Sequence, residues 1–525
     1  VKQKLLKKIE KEKISNLIID SKNIGSNSTD ELINNVDSYL CEIKESQIRL
    51  GLHEFGKLPE QENLIELIVS ISRAPTNFGK GITQEIAKCF LLKLDPWSDD
   101  LSNPLDNKDK EIMSEYIPKN SITKSDVIEY IESQAYLIID ALYKNKYLNI
   151  DINQSIINKK LHKLINLNHR HELILYIQNT IIPKVVHSPF SEKKALITSL
   201  NGERVSSGPS GAPTRGKIEV LPTGKNFFSL DVRGLPTESS WDLGNRSAQK
   251  ILDLYLMEHG EDLTNLALSI WATSTMRNGG EEVSQILSLM GLQPIWDGPS
   301  RRVVDLEIIP IKVLKRPRVD ITIRISGLFR DAFPQLLETL YKAQIMLSNL
   351  NEPHHLNPYA LLRSEQKSIT KIFGSAPGAY GVGLQDLISY SKWDKTDELV
   401  ETYLNCSQWS YNGSNDPKRN KSELIESLKN VQIVLHNQDN KEHDLIDSDD
   451  YYQFHGGLSA AVEKLNKRKP DILITDHSRH SRPQINKLEK ELDKIVRSRL
   501  LNPKWISGIK QHGYKGAFEI AASLD

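Results

Sequence analysis

Two short stretches concentrate side chains able to do chemistry. In "MRNGGEE", residues 276–282, Arg277, Asn278, Glu281 and Glu282 fall close together after a run of apolar residues. A guanidinium at Arg277 fits a ligand carboxylate through paired charge-assisted hydrogen bonds, each worth about 1.5–3 kcal/mol. Glu281 and Glu282 follow a Gly-Gly break where a helix should begin. A carboxylate in a first helical turn gains about 0.3–1 kcal/mol from the helix dipole, which accounts for at least one of the two. In "DHSRHSR", residues 476–482, His477 and His480 stand three apart beside Asp476, and His455 and His512 sit in "FHGG" and "QHGYKG". Near-neutral imidazole suits a transient ligand or proton acceptor, although a lone histidine is more often a hydrogen-bonded structural group. No HExxH or Cys/His spacing occurs, so the pattern points away from a permanent metal centre.

Such groups act together only if the fold gathers them, and the second half of the chain repeats one grammar. "NLALSIWATST" reads as a strand followed by "MRNGGEE" and a helix; "VDITIRIS" leads through "GLFRD" into a helix. "ITKIFG" leads through "SAPGAYGVG", and "DILIT" through "DHSRHSRPQ", each into helical spacing. Val319, Ile321, Ile323 and Ile325 alternate with Asp320, Thr322, Arg324 and Ser326, the period-two pattern of a half-buried strand. This is α/β architecture with a mixed or parallel sheet. In open α/β sheets ligands bind beyond the carboxyl ends of the strands, where helix N-termini also point. If the first two strands are parallel neighbours, Thr273, Ser274, Arg277, Asn278, Glu281 and Glu282 share a crevice with Ser326, Arg330 and Asp331.

Residues 1–195 carry helical spacing, as in "ENLIELIVSISRA" and "SDVIEYIESQAYLIIDALYKNK", and read as a mainly helical scaffold. The Gly/Pro/Ser-rich "NGERVSSGPSGAPTRGK" opens an α/β core over 196–410. A smaller, truncated α/β region takes 411–525, with "NGSNDPKRNKSE" and "HNQDNKEHD" as surface insertions flanking one helix. Gly211–Lys217 satisfies GxxxxGK, but Ile218 replaces the magnesium-holding hydroxyl and the stretch precedes an expected strand, "KIEVL". ATP binding there is set aside. Gly374, Gly378, Gly381 and Gly383 form either a tight turn or a close backbone approach to a bulky ligand.

Sixty-eight basic residues balance sixty-eight acidic ones, so no global field recruits nucleic acid or an anionic membrane. Cys41, Cys89 and Cys406 are widely spaced and support neither a disulfide framework nor a thiolate zinc site. No apolar run approaches the roughly 20 residues that span a bilayer. The start, "VKQKLLKKIEKEKI", is too charged for a signal peptide and lacks a methionine. A cytoplasmic segment of a longer chain is the expectation.

From about residue 47 onward, nine segments in order resemble the CobN-type large subunits of ATP-dependent cobaltochelatases, relatives of the magnesium chelatase large subunit. They are "IRLGLHEFG", "GPSGAPTRG", "LPTGKNFFSLDVRGLPT", "MRNGGEEVSQIL", "PIWDGPSRRV", "RPRVDITIRISGLFRDAFP", "FGSAPGAYGVGLQ", "YYQFHGGLSAAV" and "NPKWISGIKQHGYKGAFEIA". The resemblance implies a ligase that inserts Co2+ into the corrin precursor hydrogenobyrinic acid a,c-diamide in cobalamin synthesis. In that family the large subunit binds tetrapyrrole and metal, and separate AAA+ subunits hold ATP with Mg2+. The ion must shed water and the ring must surrender protons, so oxygen or imidazole ligands and a base are needed. Glu281, Glu282, Asp331, His477 and His512 become candidates for those roles. Arg215, Arg277, Asn278, Arg324, Arg330, Gly378, Tyr380 and Gly381 become candidates for the substrate, and the metal ligands stay unassigned. The alternatives are Mg2+ insertion into protoporphyrin IX, insertion of nickel or another metal, and a non-catalytic tetrapyrrole-binding protein. An upstream His-Gly-x-Glu type segment of the family has no counterpart here, so the isolated chain is expected not to chelate.

Overall fold

A computed structural model describes residues 51–75, 79–99, 104–119, 122–144, 172–227, 231–413, 417–440 and 443–524. Cys41, the charged opening and parts of the two expected surface insertions lie outside these residues. The chain forms two compact units: Val1–Val186 with Asp493–Asp525, and His187–Leu492.

The first unit is helical where it is described, as the sequence spacing predicts. In Gln61–Ser72, Leu64, Ile65, Ile68 and Ile71 are buried at three- and four-residue spacing. Lys124–Lys144 buries Val127, Ile131, Ala135, Ile138, Ile139 and Leu142 in the same way. Helices Pro503–Lys510 and Gly513–Ala522 belong to this unit as well.

The second unit holds twelve strands among its described residues: β1 (Ser207–Gly208), β2 (Asn226–Phe227), β3 (Asn265–Ile270), β4 (Leu292–Trp296), β5 (Val303–Ile308), β6 (Asp320–Ile325), β7 (Ile372–Gly374), β8 (Trp409–Ser410), β9 (Lys418–Arg419), β10 (Ile433–Gln438), β11 (Asp471–Asp476) and β12 (Gln484–Lys487). Eight of them make one sheet, in the order β12-β11-β10-β3-β6-β7-β8-β9. The run β11-β10-β3-β6-β7 is parallel, and the outer strands β12, β8 and β9 are antiparallel. From β3 the chain winds outward through β6 and β7, then returns past β3 to lay down β10 and β11. The order therefore reverses between β3 and β10, the switch point at which doubly wound sheets open a crevice.

Both faces of the sheet are covered. Leu266, Leu268, Ile270, Ile321, Ile323, Ile325, Ile433 and Leu435 join one apolar core, while Ala267, Phe373 and Val434 join another on the opposite face. The expected half-buried strand at 319–326 is thus buried on both sides. Its polar side chains find partners within, Asp320 Oδ1 excepted: Lys371 Nζ lies 3.1 Å from Asp320 Oδ2, Thr322 donates to the Ser427 carbonyl at 3.0 Å, and Arg324 donates to Ser407 and Ser375 hydroxyls at 3.0 Å each.

Other readings shift for local reasons. The strand expected through "WATST" stops at Ile270, because Ser274 and Thr275 hydroxyls bond back to the Trp271 carbonyl and start a helix, Ala272–Asn278. "KIEVL" forms a single tight turn, Ile218–Val220, in place of a strand. After β11, β12 precedes the helix Leu488–Ser498, so Ile485 lies in a strand and not on that helix's stripe. The expected boundary at 410 falls in β8, inside the sheet, since β10 supplies the strand beside β3. Residues from Asp493 onward, expected with an α/β region, belong to the helical unit.

Candidate functional site

A cavity of about 450 Å3 opens at the switch point, lined by Gly211–Pro213, Trp271, Ser274, Arg277, His436, Asp439 and Tyr451 among others. Its walls come from the carboxyl ends of β3 and β10 and from the "GPSGAPTRG" loop. That loop contains the short turn Pro213–Arg215, closed by Gly216 at φ 89°, and not a phosphate-cradling turn before a helix.

Helix Ala272–Asn278 carries Arg277 to the rim, and Gly279 and Gly280, at φ 78° and 91°, break the chain before helix Glu281–Met290 starts. A side chain at Gly280 would be strained by that φ and would meet Pro236 Cα at 3.2 Å. The Asn278 Oδ1 accepts from the Gly280 and Glu281 amides at 2.9 and 3.1 Å, which ties the break to the new helix. This places Glu281 and Glu282 in a buried first turn beneath the cavity, 2% and 1% exposed.

Arg277 gives Nε and Nη2 to Asp439 at 2.9 and 2.8 Å, a bidentate pair across 162 residues that leaves Nη1 for a ligand. Arg215 donates to Glu281 Oε1 at 2.8 Å and lies 3.9 Å from Asp439. Burial alone would raise the pKa of Asp439, but Arg277 and Arg215 outweigh it and hold the group below the usual range. Burial likewise opposes ionisation of Glu281, and Arg215 with His477 outweighs it. Glu282 differs. Burial raises its pKa, and neighbouring Glu281 and Asp439 add to the effect against Ser274 and Asn278. Asn278 donates to its Oε2 at 3.0 Å, while Oε1 is buried without a hydrogen bond. Two guanidiniums and two carboxylates balance, and this third carboxyl is pushed toward its protonated form.

His477 is fully buried between Glu281 and Ser247, with Nδ1 3.0 Å from Glu281 Oε2 and Nε2 2.9 Å from Ser247 Oγ. Gln285 Nε2 donates to Ser247 at 2.6 Å, Asn437 donates to Gln285 Oε1 at 2.9 Å, and Thr475 donates to Asn437. Followed from that end, the chain of donors has Ser247 give its proton to Nε2 and His477 donate from Nδ1 to Glu281. Both ring nitrogens are thereby used, so His477 orients Glu281 and has no lone pair for a metal. Ser247 is 0% exposed, which removes it as a nucleophile despite its hydroxyl–imidazole–carboxylate alignment.

The remaining predicted residues fall elsewhere. Arg330, Asp331, Gly378, Tyr380 and Gly381 form a second group past β6 and β7. Arg330 bonds Asp331 at 2.7 and 3.0 Å and the Ala376 carbonyl at 2.6 Å, and its guanidinium lies 5.5 Å from the Tyr380 ring centre. The Tyr380 hydroxyl closes on Asp331 at 2.6 Å. Gly378 and Gly381, at φ 74° and 78°, turn the chain with open space where a Cβ would sit. Arg330 is committed to bracing this turn. Arg324, 2% exposed, is interior to the sheet and does not line this cavity. His512 lies in the helical unit, where its Nε2 accepts from the Leu52 amide at 2.9 Å.

Sequence reasoning missed Asp439, His436 and Tyr451. Asp439 and His436 follow "VQIVL", a β-rich run that obeys the same strand-then-polar grammar as the other four but reads as part of a surface insertion because Asn, Asp, Lys and His crowd after it, and Tyr451 opens "YYQFHGGLSAAV", which supplies none of the candidate site residues.

The sequence profile of the CobN/Magnesium Chelatase family matches residues 1–525. The chain is 38% identical to the aerobic cobaltochelatase subunit CobN of Pseudomonas aeruginosa over 520 residues, 95% of this chain and 40% of that protein. A magnesium-chelatase subunit of Chlorobaculum parvum is 31% identical over 341 residues, 63% of this chain and 27% of that protein. The catalytic subunit of cobaltochelatase from Mycobacterium tuberculosis superposes with a TM-score of 0.84 at 30% identity, covering 100% of this chain and 42% of that one. The chain therefore spans about 40% of the length of the curated cobaltochelatase relatives it matches.

Proposed function

We propose that this chain, which belongs to the CobN/magnesium chelatase family, is the tetrapyrrole- and metal-handling part of an ATP-dependent cobaltochelatase large subunit. Its reaction is the insertion of Co2+ into a corrin precursor of the hydrogenobyrinic acid a,c-diamide type. The observation that carries this reading is the cavity at the switch point, with a guanidinium edge at its rim and a carboxyl of raised pKa beneath it. Cavities of roughly 300–1,000 Å3 take small-molecule ligands. One of about 450 Å3 admits an edge of a flat macrocycle and its peripheral carboxylates. The cobalt branch is favoured over magnesium because the cobaltochelatase match extends over 95% of the chain and the magnesium-chelatase match over 63%.

In this reading Arg277 Nη1 anchors a peripheral carboxylate and sets the ring against the cavity. When ionised, Glu282 takes a proton that the ring nitrogens release, and its raised pKa makes that carboxylate a stronger base than an ordinary one. Arg215 and His477 hold Glu281 ionised and oriented, so its negative charge favours an arriving cation. ATP hydrolysis, with its Mg2+, belongs to separate AAA+ subunits, and chelation belongs to the complete assembly.

Titrating the purified chain with the corrin precursor and, separately, with protoporphyrin IX tests the proposal. Tighter corrinoid binding that weakens about 10–100-fold in Arg277→Ala, the worth of one charge-assisted contact, supports it. Equal affinity of Arg277→Ala and the unaltered chain, or a preference for protoporphyrin, refutes it.

A further inference from the structure

Behind the cavity wall, beside the π-helical turn Tyr452–Gly456, buried polar atoms cluster without hydrogen bonds. The register pair Val434↔Ala267 places His436 beside Ser269 two residues further on, and Gln438 follows His436 on the same face of β10. His455, on the π-helical turn Tyr452–Gly456, brings its ring centre to 5.5 Å from that of His436. His436 Nε2, both ring nitrogens of His455, Ser269 Oγ and Gln438 Oε1 are all buried and unbonded. The Gln438 amide nitrogen is committed to the Asn440 carbonyl at 2.8 Å and to the His443 carbonyl, so Oε1 is left as an acceptor that faces His436 and favours its protonated form.

Each unmet buried polar group costs about 1–3 kcal/mol, and native interiors leave few of them. A cluster of this kind asks for an occupant. What the cluster offers is lone pairs: one on each neutral imidazole, and those of an amide oxygen and a hydroxyl oxygen. Two imidazoles bound to one ion at about 2.0–2.1 Å each bring their ring centres to roughly 5 Å, close to the spacing found here. Nitrogen donors without a carboxylate suit a borderline ion such as Co2+ over Mg2+ or Ca2+, and their lack of charge keeps the hold weak. His436 also lines the cavity, so an ion held here is next to the tetrapyrrole position. A π-turn at His455 is consistent with this, since such turns recur at functional sites.

We propose that His436 and His455, with Gln438 Oε1 as a further donor, form a holding site from which the divalent metal substrate passes to the macrocycle. The identity of the ion rests on the cobaltochelatase reading above. The site itself rests on the unbonded atoms.

Titration of the purified chain with Co2+ alone, followed by calorimetry and by the paramagnetically shifted imidazole N–H protons of ligating histidines, tests the site. The expected result is one Co2+ per chain with two shifted imidazoles, and affinity at least 10-fold weaker in both His436→Gln and His455→Gln. Unchanged affinity in both variants overturns the proposal. So does loss of binding only in His259→Asn, which would put the ion at the exposed Glu258, His259 and Asp471 group. Should a variant fail to fold, the unaltered chain still decides: fewer than two shifted imidazoles, or no Co2+ binding, refutes the site. Corrinoid titration of the same proteins separates the two ideas. Intact corrinoid binding with no histidine-bound Co2+ sinks only the holding site, and no corrinoid binding sinks the functional reading whatever the metal does.

Discussion

Two charged groups stand at the carboxyl edge of the same sheet, and they are built differently. The group at the switch point joins Arg215, Arg277, Glu281, Asp439 and His477 from four separated stretches of chain, and its carboxylates are nearly inaccessible. The group past β6 and β7 pairs Arg330 with its chain neighbour Asp331, which is 42% exposed in its side chain, and adds Tyr380 from the adjacent turn. The first supplies buried charge whose balance shapes a cavity. The second fixes a loop. Similar residue types thus frame a cavity in one place and brace a turn in the other, and burial with long-range pairing separates them.

The largest effect that tests this contrast is Asp439→Ala. It leaves Arg277 without its bidentate partner and Arg215 with Glu281 alone, and losing one partner of a largely buried pair costs about 3–5 kcal/mol. Asp331→Ala removes a partly exposed pair and should cost about 0–1 kcal/mol. Denaturant unfolding of both variants measures the difference, and equal losses would erase the distinction. Ser247→Ala comes next. It leaves His477 Nε2 and the Gln285 amide without partners, an expected loss of about 1–3 kcal/mol, while Glu281 still holds the ring through Nδ1.

The third effect is one of pH. The folded pKa of Glu282 is raised, so between the ordinary value of 4.5 and the folded value the native state keeps a proton that the unfolded chain has lost. Its contribution to stability is whole below that window and declines as pH rises through it, by at most about 1.4 kcal/mol per pH unit. Glu281 and Asp439, with lowered values, contribute above the ordinary carboxylate range and lose that contribution as pH falls. Buried His436 and His455, lowered to about 4 and 3, gain stability as pH rises toward 6.5 and so oppose Glu282 in part of the window. The difference curve between Glu282→Gln and the unaltered chain isolates the carboxyl. It should move in favour of the variant as pH climbs above 4.5, and a flat difference would show that Glu282 is not strained. The smallest effect is Tyr380→Phe, which should leave the unfolding midpoint unmoved and loosen only proteolytic protection of the 376–383 turn.

How far the sequence could be read follows from the same contrast. The apolar runs of β3 and β6 and the Gly-Gly break before Glu281 announce themselves locally, so the parallel pair and one wall of the cavity were legible. Asp439 was not, because its role depends on β10 lying beside β3, a neighbourhood set by topology. Arg324 misled for the opposite reason. An alternating strand looks half-exposed until helices Thr396–Ser407 and Lys421–Leu428 are known to cover its polar face. His477 and Glu281 lie 196 residues apart, and no spacing rule joins them.

The reversal of strand order has a consequence for synthesis. Arg277 leaves the ribosome long before the acid that steadies it, with the whole β6–β7 excursion in between. Until β10 docks, Arg277 lacks Asp439 and the hollow lacks one of its walls. A chain stopped before residue 433 would lack the β10 wall of the cavity, so any ligand held there doubles as a certificate that the sheet has been finished.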